Sequence, residues 1–150
     1  MENLYPIIVD YSMTLAEMIE AGKYDNWTNF TIDPDFLPIK DTGRVELNIE
    51  LVKYDEPMNS NDIIKDLDRR GLRPVTVSEL LAFGTQHPDV QREFPIIALG
   101  SSWRRCGGFI FNTWFVQSLD ADKKDNGREL SLEPWKGTWK TFCRFAAVRK

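Results

Sequence analysis

No stretch of this 150-residue chain approaches the ~20 consecutive apolar residues of a membrane-spanning helix, so no helical span is expected. Histidine occurs once, at His87, and cysteine twice, at Cys106 and Cys143, with no Cys-x-x-Cys spacing. That scarcity leaves no Cys/His ligand set for zinc, and the two cysteines could pair only if the fold brings them together, with reduced thiols the expected state. The first ten residues carry no basic segment and their apolar run breaks at Asp10, which does not support a secretory signal. The cytoplasm is the default expectation, with reduced thiols and with the sequons Asn26-Trp27-Thr28 and Asn29-Phe30-Thr31 unused. Gly107-Gly108 is too short for a phosphate loop, and there are no internal repeats or low-complexity tracts.

What is present fits one globular domain, long enough to bury roughly two thirds of its unfolded surface. Hydrophobic residues make up 42% and charged residues 28%, ordinary values for a folded domain. The net charge of -4 is unevenly spread: residues 101–150 hold ten Lys/Arg and five Asp/Glu, leaving nine and eighteen in residues 1–100. The same last fifty residues hold four of the five tryptophans. Trp and Arg give large desolvating contacts at low entropic cost, so their clustering marks a candidate recognition surface; aromatics fill cores as well. A basic, aromatic segment can also meet nucleic acid, but the chain as a whole is acidic and carries no nucleic-acid motif, so a protein partner is the preferred expectation.

Residues 4–11 read as a short strand, and Thr14 with Glu17 as a capping box opening a helix at 15–21 that Gly22 closes. The stretch through Trp27, Asp33-Pro34 and Leu37-Pro38 has no periodicity and reads as an ordered loop or docking arm. From Arg44 to Tyr54, Val45, Leu47, Ile49 and Leu51 alternate with polar residues, predicting a half-buried strand. Ser60 is placed to cap a helix running to Arg70, with Gly71 at the left-handed position beyond it. Thr76-Val77-Ser78-Glu79 is a second capping box, opening a helix at 77–86. Ile96-Ile97-Ala98-Leu99 predicts a buried central strand. Phe109-Ile110-Phe111, Trp114-Phe115-Val116 and Glu129 to Leu132 predict further strands, with Asp120 to Gly127 as a polar loop and Phe142 to Val148 as the closing strand.

Strand, two helices, central strand, aromatic β-rich region and terminal strand follow the order of a C-type-lectin-like domain. Leu72-Arg73-Pro74-Val75-Thr76-Val77-Ser78-Glu79-Leu80-Leu81 resembles the Arg-Leu-Pro-Thr-x-x-Glu-Leu segment that opens the second helix in bacterial members, including formylglycine-generating-enzyme-like domains. Ser101-Ser102-Trp103 resembles their Trp-Ser-Ser segment, and Arg144 to Arg149 their terminal strand. The resemblance covers residues 44–150, with residues 1–43 as an N-terminal extension packed on that core. In size and C-terminal ending the chain resembles the variable target proteins of diversity-generating retroelements. The resemblance implies an α+β, C-type-lectin-like fold whose first and last strands pair, holding a rewritten C-terminal segment as a ligand-binding face. On that reading Val45, Leu47, Ile49, Leu51, Ile97, Leu99, Phe145, Ala147 and Val148 form the framework. Trp103, Arg104, Arg105, Phe109, Phe111, Asn112, Trp114, Trp135 and Trp139 are the candidates for the face.

Enzymatic and metal chemistry find little support. Glu133-Pro134 resembles a lectin calcium loop, but Trp135 replaces the amide ligand, and the acidic loop from Asp120 misses the EF-hand spacing. Oxidase chemistry of the formylglycine type needs paired redox cysteines, which Cys106 in a loop and Cys143 on the closing strand do not supply. His87 sits at a helix C-terminus with no nucleophile in its local sequence. The expectation is therefore a non-enzymatic, cofactor-free binding module for a protein ligand. Its alternatives are a phage or mobile-element inhibitor of a host protein or nucleic-acid complex, and a small enzyme with a carboxylate/arginine site.

Overall fold

The computed structural model describes residues 4–27, 43–105, 113–134 and 138–150. Along the chain run β1 (Leu4–Asp10), α1 (Leu15–Gly22), β2 (Asn26–Trp27), β3 (Arg44–Val52), α2 (Ser60–Arg69) and β4 (Leu72–Pro74). They are followed by α3 (Val77–Gln86), β5 (Ile96–Arg105), β6 (Thr113–Ala121), β7 (Arg128–Pro134) and β8 (Arg144–Arg149). The architecture is α+β: one mixed sheet in the order β1-β3-β8-β5-β6-β7-β2, with β4 pairing on β8 off that path. No helix among the described residues is long and apolar enough to cross a membrane.

Closure of the frame comes from β3 and β8, which pair antiparallel through Glu50–Ala147, Leu51–Ala146 and Val52–Phe145. The expected pairing of the first framework strand with the last is therefore present. β8 also pairs parallel with β5 at Ile96 and Ile97, so the closing strand is central. Its composition explains why: Phe145, Ala146, Ala147 and Val148 are all buried, the continuous apolar run of a strand covered on both faces. Side chains alternate between two cores. Ile96, Ala98, Ala146 and Val148 join Ile49 and the buried faces of α1 and α3, whereas Ile97, Leu99, Phe145 and Ala147 join Ile63 and Leu67 of α2.

Both predicted capping boxes form: Thr14 and Thr76 accept from the N–H groups of Glu17 and Glu79, whose carboxylates accept from the cap N–H groups in return. α2 differs. Its N-cap is Asn59, whose side chain accepts from Asp62 N at 2.8 Å, and Ser60 is instead a buried first-turn residue. α1 is closed by Lys23 in the left-handed conformation (φ 51°), not by Gly22. Gly22 is needed for space, since a Cβ there would lie 2.7 Å from Cζ of the buried Tyr24. Gly71 does adopt the positive φ expected past α2, at 76°.

Residues 4–27 share this sheet and core. β1 pairs with β3 over seven residues, from Leu4–Glu50 to Asp10–Arg44. Part of the stretch read as a loop or arm is the short strand β2, which pairs parallel with β7 through Asn26–Glu129 and Trp27–Leu130. The remainder of that stretch, 28–42, lies outside the described residues. Val45, assigned to the framework core, is 37% exposed, because β8 reaches only as far along β3 as Glu50 and leaves the first half of β3 at the sheet margin. β5 runs six residues beyond the predicted 96–99, and β6 absorbs Asp120 and Ala121 from the predicted loop.

Candidate binding surface

β5 outruns its pairing with β8 partway along its length. Its pairing with β8 covers only Ile96 and Ile97, yet its pairing with β6 continues to Arg105–Thr113. The ladder shifts register between Ala98 and Ser102, as at a β-bulge, and such breaks re-aim a strand. Gly100 sits inside that break because only glycine fits: a Cβ would lie 2.6 Å from Pro74 O and closer still to Val75 O, to which the Gly100 N–H donates at 2.8 Å. Ser101 anchors the next step, its hydroxyl accepting from Val77 N at 3.0 Å in the first turn of α3. This stretch of β5 is thus tied to the segment after β4 and to α3, and beyond it the β5–β6 pair continues beside β7.

Four of the expected face residues lie on this strand pair, with Arg104 and Trp114 at one register position and Trp103 and Arg105 at the alternating positions on either side. Its register pairs Trp103 with Phe115, Arg104 with Trp114 and Arg105 with Thr113. β7 lies alongside up to Phe115–Pro134, so Trp135 follows directly from the last paired residue. Phe109, Phe111, Asn112 and Trp135 themselves lie outside the described residues, as does Cys106.

Trp139 does not belong to the face. It is 3% exposed, packs edge-on against Phe145 at 5.8 Å between ring centroids, and donates from Nε1 to Ser60 Oγ at 2.7 Å. Its backbone N–H donates to Met58 O at 2.7 Å, pinning the segment before β8 over α2. A buried indole N–H needs an acceptor, and the inward-facing Ser60 hydroxyl supplies it. Ser60, expected at the helix terminus, is thus the buried partner of Trp139, expected at the surface.

Part of the basic charge of the C-terminal third is internal. Arg128 is 6% exposed; its guanidinium donates to Gly22 O and Gly84 O at 2.5 Å each and to Pro88 O at 3.0 Å. A cation at the ends of α1 and α3 complements both helix dipoles and satisfies carbonyls the helices leave open. The same guanidinium lies 4.7 Å from the Tyr24 ring centroid, and burial pushes the Tyr24 hydroxyl up to about 12. Sequence gave no sign of this role, because an arginine beside a polar loop reads as solvated.

Glu79 combines its capping role with a buried ion pair: Arg73 donates to its two oxygens at 2.8 and 2.7 Å, and Thr76 N donates at 2.7 Å. Burial alone raises such a carboxyl, but the Arg73 and Thr76 hydrogen bonds and the Arg73 charge outweigh it and hold Glu79 below the ordinary carboxylate range. The Arg73-Pro74 segment therefore opens α3 by bracing its cap.

The acidic loop is a hairpin turn with Asn126 at φ 59°. Asp122 accepts from Lys124 N at 2.7 Å and Asp125 from Gly127 N at 2.9 Å, so these carboxylates serve their own loop. Burial, then the nearby charges of Asp122 and Asp120, pushes Glu129 upward. Among the described residues no group of three or more His, Cys, Asp or Glu side chains is placed to hold a metal ion.

At the opposite end of β5 from the hairpin, a groove of about 430 Å³ is lined by Tyr5, Glu50, Lys53, Arg70, Phe94 and Arg144, among others. Arg144 lies 4.4 Å from the centroid of Phe94, and Arg70 is paired with Asp66 at 2.9 Å. No protein-family model, curated protein or solved structure matches the chain.

Proposed function

We propose that the chain is a non-enzymatic binding module on a C-type-lectin-like scaffold, whose β5–β6 hairpin and following segment display an aromatic and basic face to a protein partner. The observation that supports this best is the β5–β6 pair, which runs on past its contact with β8 beyond Gly100 and carries Trp103, Arg104, Arg105 and Trp114. Its root is held by backbone and capping contacts, Gly100 N to Val75 O and Val77 N to Ser101 Oγ, which ask nothing of the residues farther out. Such a division between frame and display segment lets the outer residues change while the fold stays. It is the division on which the variable proteins of diversity-generating retroelements depend, and we place the chain with that class.

Two experiments test this reading. In the source genome, a near-copy of the codons for residues 101–150 differing chiefly at adenines, beside a reverse transcriptase gene, supports diversification; an intact locus lacking both removes that part of the proposal. For binding, the partner cross-linked in the source cells is purified and titrated against Trp103→Ala, Arg105→Ala and Trp135→Ala. Each is expected to keep a near-normal melting temperature while weakening capture by about 2 kcal/mol where it marks a hot spot. Unchanged affinity in all three moves the face elsewhere.

A further inference from the structure

Among the described residues β1 is the outermost strand of the sheet and pairs with β3 alone. An edge strand presents unpaired N–H and C=O groups on which another chain can build, and natural sheets blunt such edges. On β1 two successive outward positions, Pro6 and Ile8, are occupied. Pro6 has no N–H to offer, and its carbonyl meets His87 Nε2 at 2.8 Å. Two residues on, the Ile8 N–H donates to Gln86 Oε1 at 2.9 Å while the Ile8 carbonyl accepts from Gln86 Nε2 at 2.7 Å. Exchange of both bonds with one group is how directly facing residues meet in an antiparallel ladder. The primary amide of Gln86 therefore stands where the peptide groups of a neighbouring strand would stand.

The placement is built in. Gln86 is the last residue of α3, and the His87 ring beside it is flanked by Tyr5 and Phe83, each with its ring centroid 5.3 Å away. Next to the occupied edge, Leu4 and Ile8 are 52% and 43% exposed. They share the solvent face of β1, an apolar strip that by itself invites strand pairing. β1 can also face its own copy antiparallel, with Ile8 of each chain exchanging both bonds with Ile8 of the other.

We propose that Gln86, supported by His87, is an edge seal: an autoinhibitory contact that keeps a second copy of this chain from pairing on β1. Hydrogen bonds at the surface compete with water, so the seal contributes little to folding stability while it blocks the ladder position. Gln86 is exposed at a helix terminus, and its replacement leaves both cores untouched.

Analytical ultracentrifugation from micromolar to near-millimolar concentration, with amide hydrogen exchange at Ile8, tests this on wild type, Gln86→Ala and Gln86→Met. Wild type is expected to stay monomeric. Both variants are expected to shift to dimer as concentration rises, with the Ile8 amide exchanging quickly in the monomer and slowly in the dimer. Adding Ile8→Lys, a charge on the edge, returns them to monomer. Variants that stay monomeric throughout, a dimer that survives Ile8→Lys, or a wild-type chain already paired through β1 would each overturn the proposal.

Discussion

Removing Arg73 leaves Glu79 as a buried carboxylate without its cation. The two side chains are unequally exposed, Arg73 at 39% and Glu79 at 1%, so their loss has unequal consequences. Breaking a fully buried pair from one side costs about 3–5 kcal/mol, and the partial exposure of Arg73 screens the lost attraction, so Arg73→Ala is expected to cost about 2–3 kcal/mol at pH 7. Glu79→Gln retains an acceptor for the Thr76 N–H and leaves a cation that can turn to water, so it should cost less. The pH dependence follows from the depressed Glu79 carboxyl: its contribution is fully present above the unfolded value, about 4.3, and is lost as pH falls through the lower folded value. In Arg73→Ala, burial is opposed only by the remaining hydrogen bonds, so the carboxyl titrates higher. Urea unfolding of both proteins, followed by tryptophan fluorescence from pH 7 down to pH 3, should show the gap between them narrowing as pH falls. A gap below about half a kilocalorie at pH 7, or one independent of pH, refutes the reasoning.

Three further outcomes follow from the same contacts. Ile49→Ala opens a cavity at a position with no exposure and should cost about 2–5 kcal/mol, read as a shift in urea midpoint at constant m-value. Trp139→Phe leaves the Ser60 hydroxyl without its indole donor and reduces the packing on Phe145; a loss of about 1–3 kcal/mol is expected, and none at all would return Trp139 to the surface. Calcium should leave the melting temperature unchanged, since Asp122 and Asp125 are engaged by their own loop; calorimetric binding abolished by Asp122→Ala would contradict that.

Helix starts are legible in the sequence because capping chemistry is local. Thr14 and Glu17, and Thr76 and Glu79, form reciprocal pairs three residues apart, and both helices start where those pairs sit. The run Ile96–Leu99 and the closing strand are continuous apolar segments, which sheets covered on both faces require. What escaped depended on partners distant in sequence. Arg128 acts through carbonyls at Gly22 and Gly84, and Ser60 acts through Trp139, pairings that no window of neighbouring residues contains. The extension of β5 past Leu99 was hidden by Gly100, which reads as a terminator and is instead the point of closest approach to Pro74 and Val75. Of the face, Trp103, Arg104, Arg105 and Trp114 lie on the β5–β6 pair, Trp139 is core, and the remaining candidates lie outside the described residues.

The central claim, that a self-sufficient frame holds a replaceable face, is tested most directly by a display library randomised together at Trp103, Arg104, Arg105, Phe109, Phe111, Asn112, Trp114 and Trp135, with protease resistance as the readout. Most members are expected to resist proteolysis as the wild type does, while members of a second library randomised at Ile49, Trp139 and Phe145 are not. Loss of resistance across the first library, comparable with the second, would contradict it and make those aromatics part of what holds the fold together.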